Sequence, residues 1–183
     1  MKIETKRLIL RDIGKKDEES IRKHINNLNV SKWLLAVSYP YKKKDADWWV
    51  SHCLENQKEK PRKSYNFGVV IKPNKEVVGG IGLTKVNREQ RTAEIGYWLS
   101  EKYWKRGLMY EATLSVIKFA FNKLKLRKLI IRAYSKNRAS NKLAKKLGAG
   151  KEGLLRKHAV CKATGKIHDE IIFGLLKEEW RKK

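Results

Sequence analysis

The sequence predicts one mixed α/β domain, spanning residues 1–183, in which helices flank a central sheet. Its length suits a single domain that can bury a core without metals or disulfides. Hydrophobic residues make up 41% of the chain and aromatic residues 9%, which excludes an intrinsically disordered protein despite the high charge. Segments with helical spacing of apolar residues alternate with segments that alternate like strands, which favours a mixed α/β fold.

In the first half of the chain, the pattern predicts a strand at Arg7–Arg11, then two helices, then a hairpin. Asp17 and Asp45 are candidate N-cap residues for the two helices. The expected inward residues are Ile21, Ile25 and Leu28 in the first helix and Trp49 and Cys53 in the second. The hairpin comprises Tyr65–Ile71 and Val77–Leu83, and glycines in its second strand indicate close approach of a neighbouring backbone.

In the second half, strands are expected at Thr92–Leu99 and Lys128–Tyr134, with a long helix between them. A shorter helix begins at Asn137 and ends at Gly148, which suits a C-cap. Its expected inward residues are Ala139, Leu143 and Leu147. Two final strands are predicted around Leu155–Val160 and Ile171–Leu176. The elements therefore form one sheet with helices packed on it.

A basic loop with one glycine, residues 103–109, joins the Thr92–Leu99 strand to the long helix. The start of a helix offers free N–H groups and a partial positive charge to an anion. Gly107 allows close backbone approach, and Lys105 and Arg106 add the charge that suits a diphosphate. From its spacing alone, the loop is equally well explained as an ordinary strand-to-helix turn. It has neither the Walker nor the Rossmann spacing.

Several segments match one family in order and at suitable spacing: Glu4–Arg11, Ala93–Leu99, Gly107–Ala112, Asn137–Asn141, Leu147–Gly148 and Lys151–Gly153. Over nearly its whole length the chain resembles the GNAT acetyltransferases, specifically the branch that acetylates the N-termini of ribosomal proteins. The resemblance implies a mostly antiparallel twisted sheet with a splayed parallel pair and about four helices. It also implies direct transfer of an acetyl group from acetyl-CoA to a primary amine, without an acyl-enzyme.

The resemblance also implies which residues bind the cofactor. The diphosphate is assigned to the loop residues Trp104, Lys105, Arg106, Gly107, Leu108 and Met109. The pantetheine arm is assigned to the backbone of Tyr97, Trp98 and Leu99 and to the side chain of Asn137. A splayed strand suits such an arm, because its free N–H and C=O groups can pair with amides and stabilise an oxyanion.

The chain departs from the family pattern at several positions. The family loop usually reads Gln/Arg-x-x-Gly-x-Gly/Ala, whereas Trp104 and Met109 occupy the outer positions here. Ala144 replaces the tyrosine that many relatives use as general acid. Ser140 is the expected replacement, because the ribosomal-protein branch has a serine at a matching position, and Tyr134 is the second candidate.

Acetyl transfer also needs a general base, since an amine is mostly protonated at neutral pH. Glu94 is the candidate, because it lies on the strand that leads to the loop and a carboxylate in a partly desolvated cleft can accept the proton. The alternative is a structural acid that pairs with a basic neighbour.

The formal net charge is +25, and no acidic residue occurs from Ala112 through Lys151, where twelve basic residues lie. Arg138, Lys142 and Lys145 are expected to attract the cofactor's phosphates, including its 3′-phosphate. The other charges are explained either by a ribosomal RNA or other anionic partner, or by simple solvation of helix surfaces.

The remaining residues of interest predict little chemistry. Two isolated cysteines and the lack of a long apolar run favour a cytoplasmic protein with no membrane segment. The spacing of histidines and cysteines predicts no metal site, and His24 is expected on a helix surface. The aromatic residues near the start of the second helix form either a wall for the acceptor or part of the core: Trp33, Tyr39, Trp48 and Trp49.

The expected function is acetylation of a protein N-terminus, such as that of a ribosomal protein, by a monomer or homodimer. A polyamine or an antibiotic amine is the alternative acceptor. A second class of function stays open, in which the altered positions Trp104 and Ala144 mark a catalytically impaired module that binds the ribosome or RNA.

Overall fold

The computed structural model describes residues 1–73 and 75–180, and its centre is an eight-stranded sheet. The strand order is β1-β2-β3-β4-β5-β6-β8-β7, with β5 and β6 parallel and every other pair antiparallel. The strands are β1 (Lys2–Glu4), β2 (Leu8–Asp12), β3 (Tyr65–Ile71), β4 (Val77–Asn87), β5 (Thr92–Leu99), β6 (Lys128–Tyr134), β7 (Gly150–Val160) and β8 (Ile167–Leu176). The predicted mixed α/β class is confirmed.

Helices cover both faces of the sheet. The described residues form α1 (Glu18–Ile25), α2 (Leu28–Ser31), α3 (Lys43–Lys58), α4 (Leu108–Lys118), α5 (Arg138–Lys146) and α6 (Lys177–Trp180). Helices α1–α3 pack around Ile21, Val50 and Cys53 on one face. Helices α4 and α5 contribute Ile117 and Ala144 to the larger core on the other face. Four of these helices are eight residues or longer, in agreement with the family's expected number.

The parallel pair β5–β6 separates part of the way along its length. Their register runs from Thr92↔Lys128 to Ile95↔Ile131 and ends there. The rest of β5 continues to pair with β4, as far as Leu99↔Gly79. Of the backbone groups that Gly96–Leu99 turn toward β6, the Leu99 carbonyl accepts a hydrogen bond from the Trp104 indole, and the others are available to another partner. The expected splayed pair is present, and it defines the location of a cleft.

Most predicted elements are confirmed, and β3, β5 and β6 have the predicted bounds. Strand β1 was not predicted, since its three residues are too short to show alternation. The residues between the two predicted hairpin strands include Asn74, which lies outside the described residues. Strands β4, β7 and β8 are longer than predicted. Each extends beyond the part of its sequence that alternates strictly.

Three side-chain placements were wrong. Leu28 is 40% exposed, because α1 ends at Ile25 and Leu28 begins the separate turn α2. Ala139 is exposed, and Ala144 takes its place on the buried face of α5. His24 does not lie on a free helix surface, since its ring bonds to Ser100 on one side and to Glu76 on the other. For His24 these tertiary contacts outweigh the local pattern.

Candidate active site

A cavity of about 320 Å³ opens where β5 and β6 begin to separate. Residues from β4–β8 and from the segment after α2 line it, among them Leu35, Lys85, Glu94, Arg132, His158 and Glu170. Leu35 is 55% exposed at its rim. Two carboxylates, two basic side chains and an imidazole therefore surround a space that could admit a small side chain or a chain terminus.

Glu94 lies in this cavity and is paired there. Its Oε1 accepts a hydrogen bond from Lys85 Nζ at 2.9 Å, and Arg132 Nη1 lies 3.8 Å away. Its side chain is about one quarter exposed, whereas that of Lys85 is mostly exposed. These surroundings agree with both interpretations of Glu94. Its basic partners suit a structural acid, and its position in a cavity suits a general base.

Arg132 joins the two carboxylates of the cavity. Its Nε donates to Glu170 Oε2 at 3.0 Å, and its Nη2 reaches both Glu170 and His158 Nε2. Glu170 is buried, so its charge depends on this guanidinium for compensation. Sequence reasoning missed Lys85, Arg132, His158 and Glu170 as neighbours of Glu94, because they come from four different strands.

The loop from Trp104 to Met109 has the backbone expected of a turn that presents N–H groups. Lys105 and Gly107 have positive φ angles of 59° and 72°, and residues 105–107 are exposed. The first backbone bond of α4 runs from the N–H of Glu111 to the Gly107 carbonyl at 3.1 Å. The backbone N–H groups that precede Glu111 have no partner within the helix, so they could donate hydrogen bonds to an anion.

The side chains of this loop point in different directions. Trp104 turns inward, and its Nε1 donates to the Leu99 carbonyl at 2.7 Å. Leu108 is buried and Met109 half-buried, so these two and Trp104 offer a ligand mainly their backbone. Lys105 and Arg106 remain outside, where the Arg106 guanidinium lies 5.8 Å from the centre of the Tyr103 ring.

Ser140 meets Tyr97 rather than Glu94. The Ser140 and Tyr97 hydroxyl oxygens are 3.0 Å apart, and the Ser140 N–H donates to Asn137 Oδ1, which caps α5. Burial raises the pKa of Tyr97 and the Ser140 hydrogen bond lowers it, with a net rise that keeps the phenol protonated. Because residues 94 and 97 of a strand face opposite ways, Glu94 and this hydroxyl pair lie on opposite faces of β5. The sequence suggested only a backbone role for Tyr97.

Tyr134, the second candidate acid, lies in a different environment. It is 3% exposed, packs with Ala159 and Cys161, and stacks on His168 with 4.3 Å between ring centres. Burial raises its pKa, with smaller contributions from Cys161 and Glu170. This packing favours a structural role, because little of the ring could reach a ligand.

The four aromatic residues near α3 do not form one wall. Trp33 packs against the cluster of Tyr134 and Cys161, and Trp49 is half-buried against the core of α1–α3. Tyr39 and Trp48 are exposed, and Trp48 stacks on His52. From this part of the chain it is Leu35 that reaches the cavity.

The remaining candidates lie on the surface or in the core. Arg138, Lys142 and Lys145 are exposed along α5, and Trp98 packs toward the α1–α3 side. Burial raises the pKa of the Cys53 thiol to about 12, in line with an idle cysteine. Among residues 1–73 and 75–180, no group of three His, Cys, Asp or Glu side chains could hold a metal ion. No helix in these ranges is long and apolar enough to cross a membrane.

Comparison with known proteins identifies the family. Residues 7–150 match the model of the acetyltransferase (GNAT) domain. The N-acetyltransferase p20 of Bacillus licheniformis is 29% identical, with 96% of both chains covered. The [ribosomal protein uS5]-alanine N-acetyltransferase of Escherichia coli is 23% identical, with coverage of 73% of this chain and 68% of the other.

Solved structures of acetyltransferases share this fold. The crystal structure of the ribosomal-protein-S5-alanine acetyltransferase from Vibrio fischeri superposes with a TM-score of 0.84 over 98% of both chains, at 21% sequence identity. At that identity the superposition shows a shared fold. With the family match across most of its length, the chain belongs to the GNAT acetyltransferases.

Proposed function

We propose that residues 1–183 form a single N-acetyltransferase domain that transfers an acetyl group from acetyl-CoA to the N-terminal amine of a protein, such as a ribosomal protein. The main observation in support is that Glu94 lines a cavity beside the point where β5 and β6 separate. The similarity to the uS5-alanine acetyltransferase supports a protein N-terminus as the acceptor.

The residues present fit the cofactor that this family uses. Lys105, Arg106 and the N–H groups at the start of α4 suit a diphosphate, and the exposed cations of α5 suit a further phosphate. The N–H and C=O groups of the Gly96–Leu99 edge that neither β6 nor the Trp104 indole occupies suit the amides of a pantetheine arm. When bound, acetyl-CoA supplies the activated acyl group, and the protein supplies binding, orientation and proton transfer.

Proton transfer is divided between the two faces of β5. On the cavity side, Glu94 takes a proton from an acceptor ammonium, either directly or through water. The Lys85 ammonium already occupies one such position, 2.9 Å from Glu94, and an incoming amine would displace it. On the other side, the Tyr97–Ser140 pair holds a hydroxyl proton for the leaving group.

Two measurements test cofactor binding and turnover. Thermal stabilisation by acetyl-CoA but not by adenosine is expected, and its absence would contradict the cofactor site. Thiol release is then followed with peptides that carry ribosomal-protein N-termini, and with polyamines and aminoglycosides in parallel. Turnover with polyamines or aminoglycosides but not with peptides would show that the acceptor is a small amine. Binding of acetyl-CoA without turnover of any acceptor would favour a catalytically impaired module that binds the ribosome or RNA.

The role of Glu94 is tested by Glu94→Gln. We expect turnover at neutral pH to fall about a hundredfold, the usual order for loss of a general base, and to recover in part at high pH, where the amine deprotonates itself. Glu55→Gln, at an exposed position on α3, is the control and should keep full activity. Turnover that does not change at any pH would leave Glu94 as a structural acid.

A further inference from the structure

The N-terminal segment of the chain is tied to the first turn of α4. Glu111 Oε1 accepts hydrogen bonds from Thr5 Oγ1 at 2.6 Å and from the Arg7 N–H at 2.9 Å, and its Oε2 accepts from Arg7 Nε at 2.6 Å. The pKa of Glu111 is affected first by burial, which raises it, but the bonds from Thr5 and Arg7 lower it overall. Glu111 is therefore ionised, and both of its carboxylate oxygens hold the N-terminal segment through hydrogen bonds.

The same Arg7 guanidinium also reaches the loop. Its Nη1 donates to the Arg106 carbonyl at 2.9 Å, and its Nη2 lies 3.7 Å from the position that a Cβ on Gly107 would take. Glu111 holds the guanidinium through Nε, which directs Nη1 at this carbonyl. One rigid fork thus bridges the helix and the loop.

The bond to the Arg106 carbonyl has a consequence for the next residue. In a trans peptide the C=O of one residue and the N–H of the next point in opposite directions. Since the Arg106 carbonyl points toward Arg7, the Gly107 N–H points away from it, on the side remote from the Arg7–Glu111 pair. Gly107 has a φ of 72° and could rotate easily, so this peptide is one that needs an external restraint.

We propose that Arg7 is a positioning residue for the cofactor's diphosphate, which locks the Arg106–Gly107 peptide so that the Gly107 N–H faces the anion. The proposal rests on the function proposed above, because it takes this loop as the diphosphate site. The N-terminal segment, which so far served only as one of the segments that match the family, thereby gains a role in binding the cofactor. Glu111 acts through Arg7, as the group that aims it.

The alternative explanation is charge alone. A carboxylate in the first turn of α4 would repel a diphosphate if it were unpaired, and Arg7 cancels that charge. Charge cancellation and peptide orientation make different predictions once Glu111 is neutralised. Arg7→Ala/Glu111→Gln removes the repulsion but does not restore the lock.

The experiment measures the dissociation constant of coenzyme A by calorimetry at low ionic strength and well below the unfolding temperature. We expect Arg7→Ala and Arg7→Ala/Glu111→Gln to bind about tenfold more weakly, a loss of the order of one charged hydrogen bond. Binding of S-acetylpantetheine, which lacks the diphosphate, should not change. Arg22→Ala, which also removes an arginine paired with a carboxylate, is the control and should bind coenzyme A normally.

A second variant covers the case in which Arg7→Ala does not fold. Arg7→Lys keeps the charge but cannot bridge Glu111 and the Arg106 carbonyl as a fork, so it should also bind coenzyme A more weakly. Wild-type affinity in Arg7→Lys, or recovery in the double variant, would overturn the proposal in favour of charge. If the wild-type protein itself does not bind coenzyme A, the proposed function fails instead.

Discussion

Among single residues, Asp17 shows how the chain accommodates a buried charge. Its carboxylate is buried and accepts hydrogen bonds from Arg11 Nη1 and Nη2, both at 2.6 Å, and from the Gly14 N–H at 2.8 Å. Burial raises the pKa of Asp17, but the bonds from Arg11 and Gly14 and the Arg11 charge lower it overall. Asp17 is the N-cap residue of α1, as expected, but its carboxylate makes no capping bond there and fixes the link between β2 and that helix.

Loss of this carboxylate should be costly and pH-dependent. Asp17→Asn leaves the Arg11 charge without its partner and is expected to lower the free energy of unfolding by about 3 kcal/mol. Because the folded pKa lies below the unfolded one, the contribution is present above the ordinary carboxyl pKa and is lost as the pH falls through the folded value.

Urea unfolding of both proteins between pH 7 and pH 2 checks this, and the difference should shrink toward the acid end. Glu19→Gln, which removes an exposed ion pair with Arg22, is the control and should change little. A difference that is constant with pH would show that the Asp17 charge does not carry the effect.

Within the elements, the geometry of β4 and β5 shapes the site. Between Thr84 and Asn87 their register shifts, and Lys85 there takes a φ of 51°. A bulge of this kind redirects side chains, and here the Lys85 ammonium meets Glu94 on the neighbouring strand. The bulge therefore brings the Lys85 ammonium into the cavity that Glu94 lines.

Gly79 lets β4 and β5 lie close together at the other end of the pair, where it faces Leu99. A Cβ at this position would lie 2.7 Å from the Trp98 carbonyl oxygen, a backbone atom that cannot move without shifting β5. Gly79→Ala should destabilise the protein by about 1–3 kcal/mol, the usual range for overpacking. Gly96→Ala on β5 is the matched control, because nothing lies within 4 Å of its added Cβ.

Thermal unfolding compares the two alanine variants, and Gly79→Ala alone is expected to lower the melting temperature. Equal melting temperatures would mean that β4 and β5 can separate at Gly79 without cost. The sequence indicated close backbone approach for this run of glycines, but not which neighbouring atom made it.

Across the whole molecule, positive charge is concentrated in one stretch of the chain, residues 112–151. Of the twelve basic residues between Ala112 and Lys151, two have carboxylate partners within the described chain, Lys128 with Glu152 and Arg132 with Glu170. The other ten contribute to a positive electrostatic field that any anionic partner would meet.

If ribosomal RNA is that partner, the protein should be retained on immobilised RNA at low ionic strength and released as salt rises. Lys123→Gln/Lys125→Gln, at two exposed positions away from the loop, should be released at lower salt. No retention at low ionic strength would leave solvation as the explanation of the charge.

The local pattern alone predicted much of this protein. Alternation and helical spacing identified β3, β5 and β6 and the long helices, because burial of one face repeats every two or three to four residues. The order of the motifs also indicated the family, and with it Glu94 and the loop around Gly107.

Only the tertiary structure decided which groups surround those residues. Arg132, His158 and Glu170 reach the Glu94 cavity from β6, β7 and β8, and Arg7 meets Glu111 across 104 residues. The Lys85 ammonium reaches Glu94 through a bulge, which no period reveals. Periodicity reports which face of an element is buried, whereas strand order and register decide which faces meet, and those depend on the whole chain.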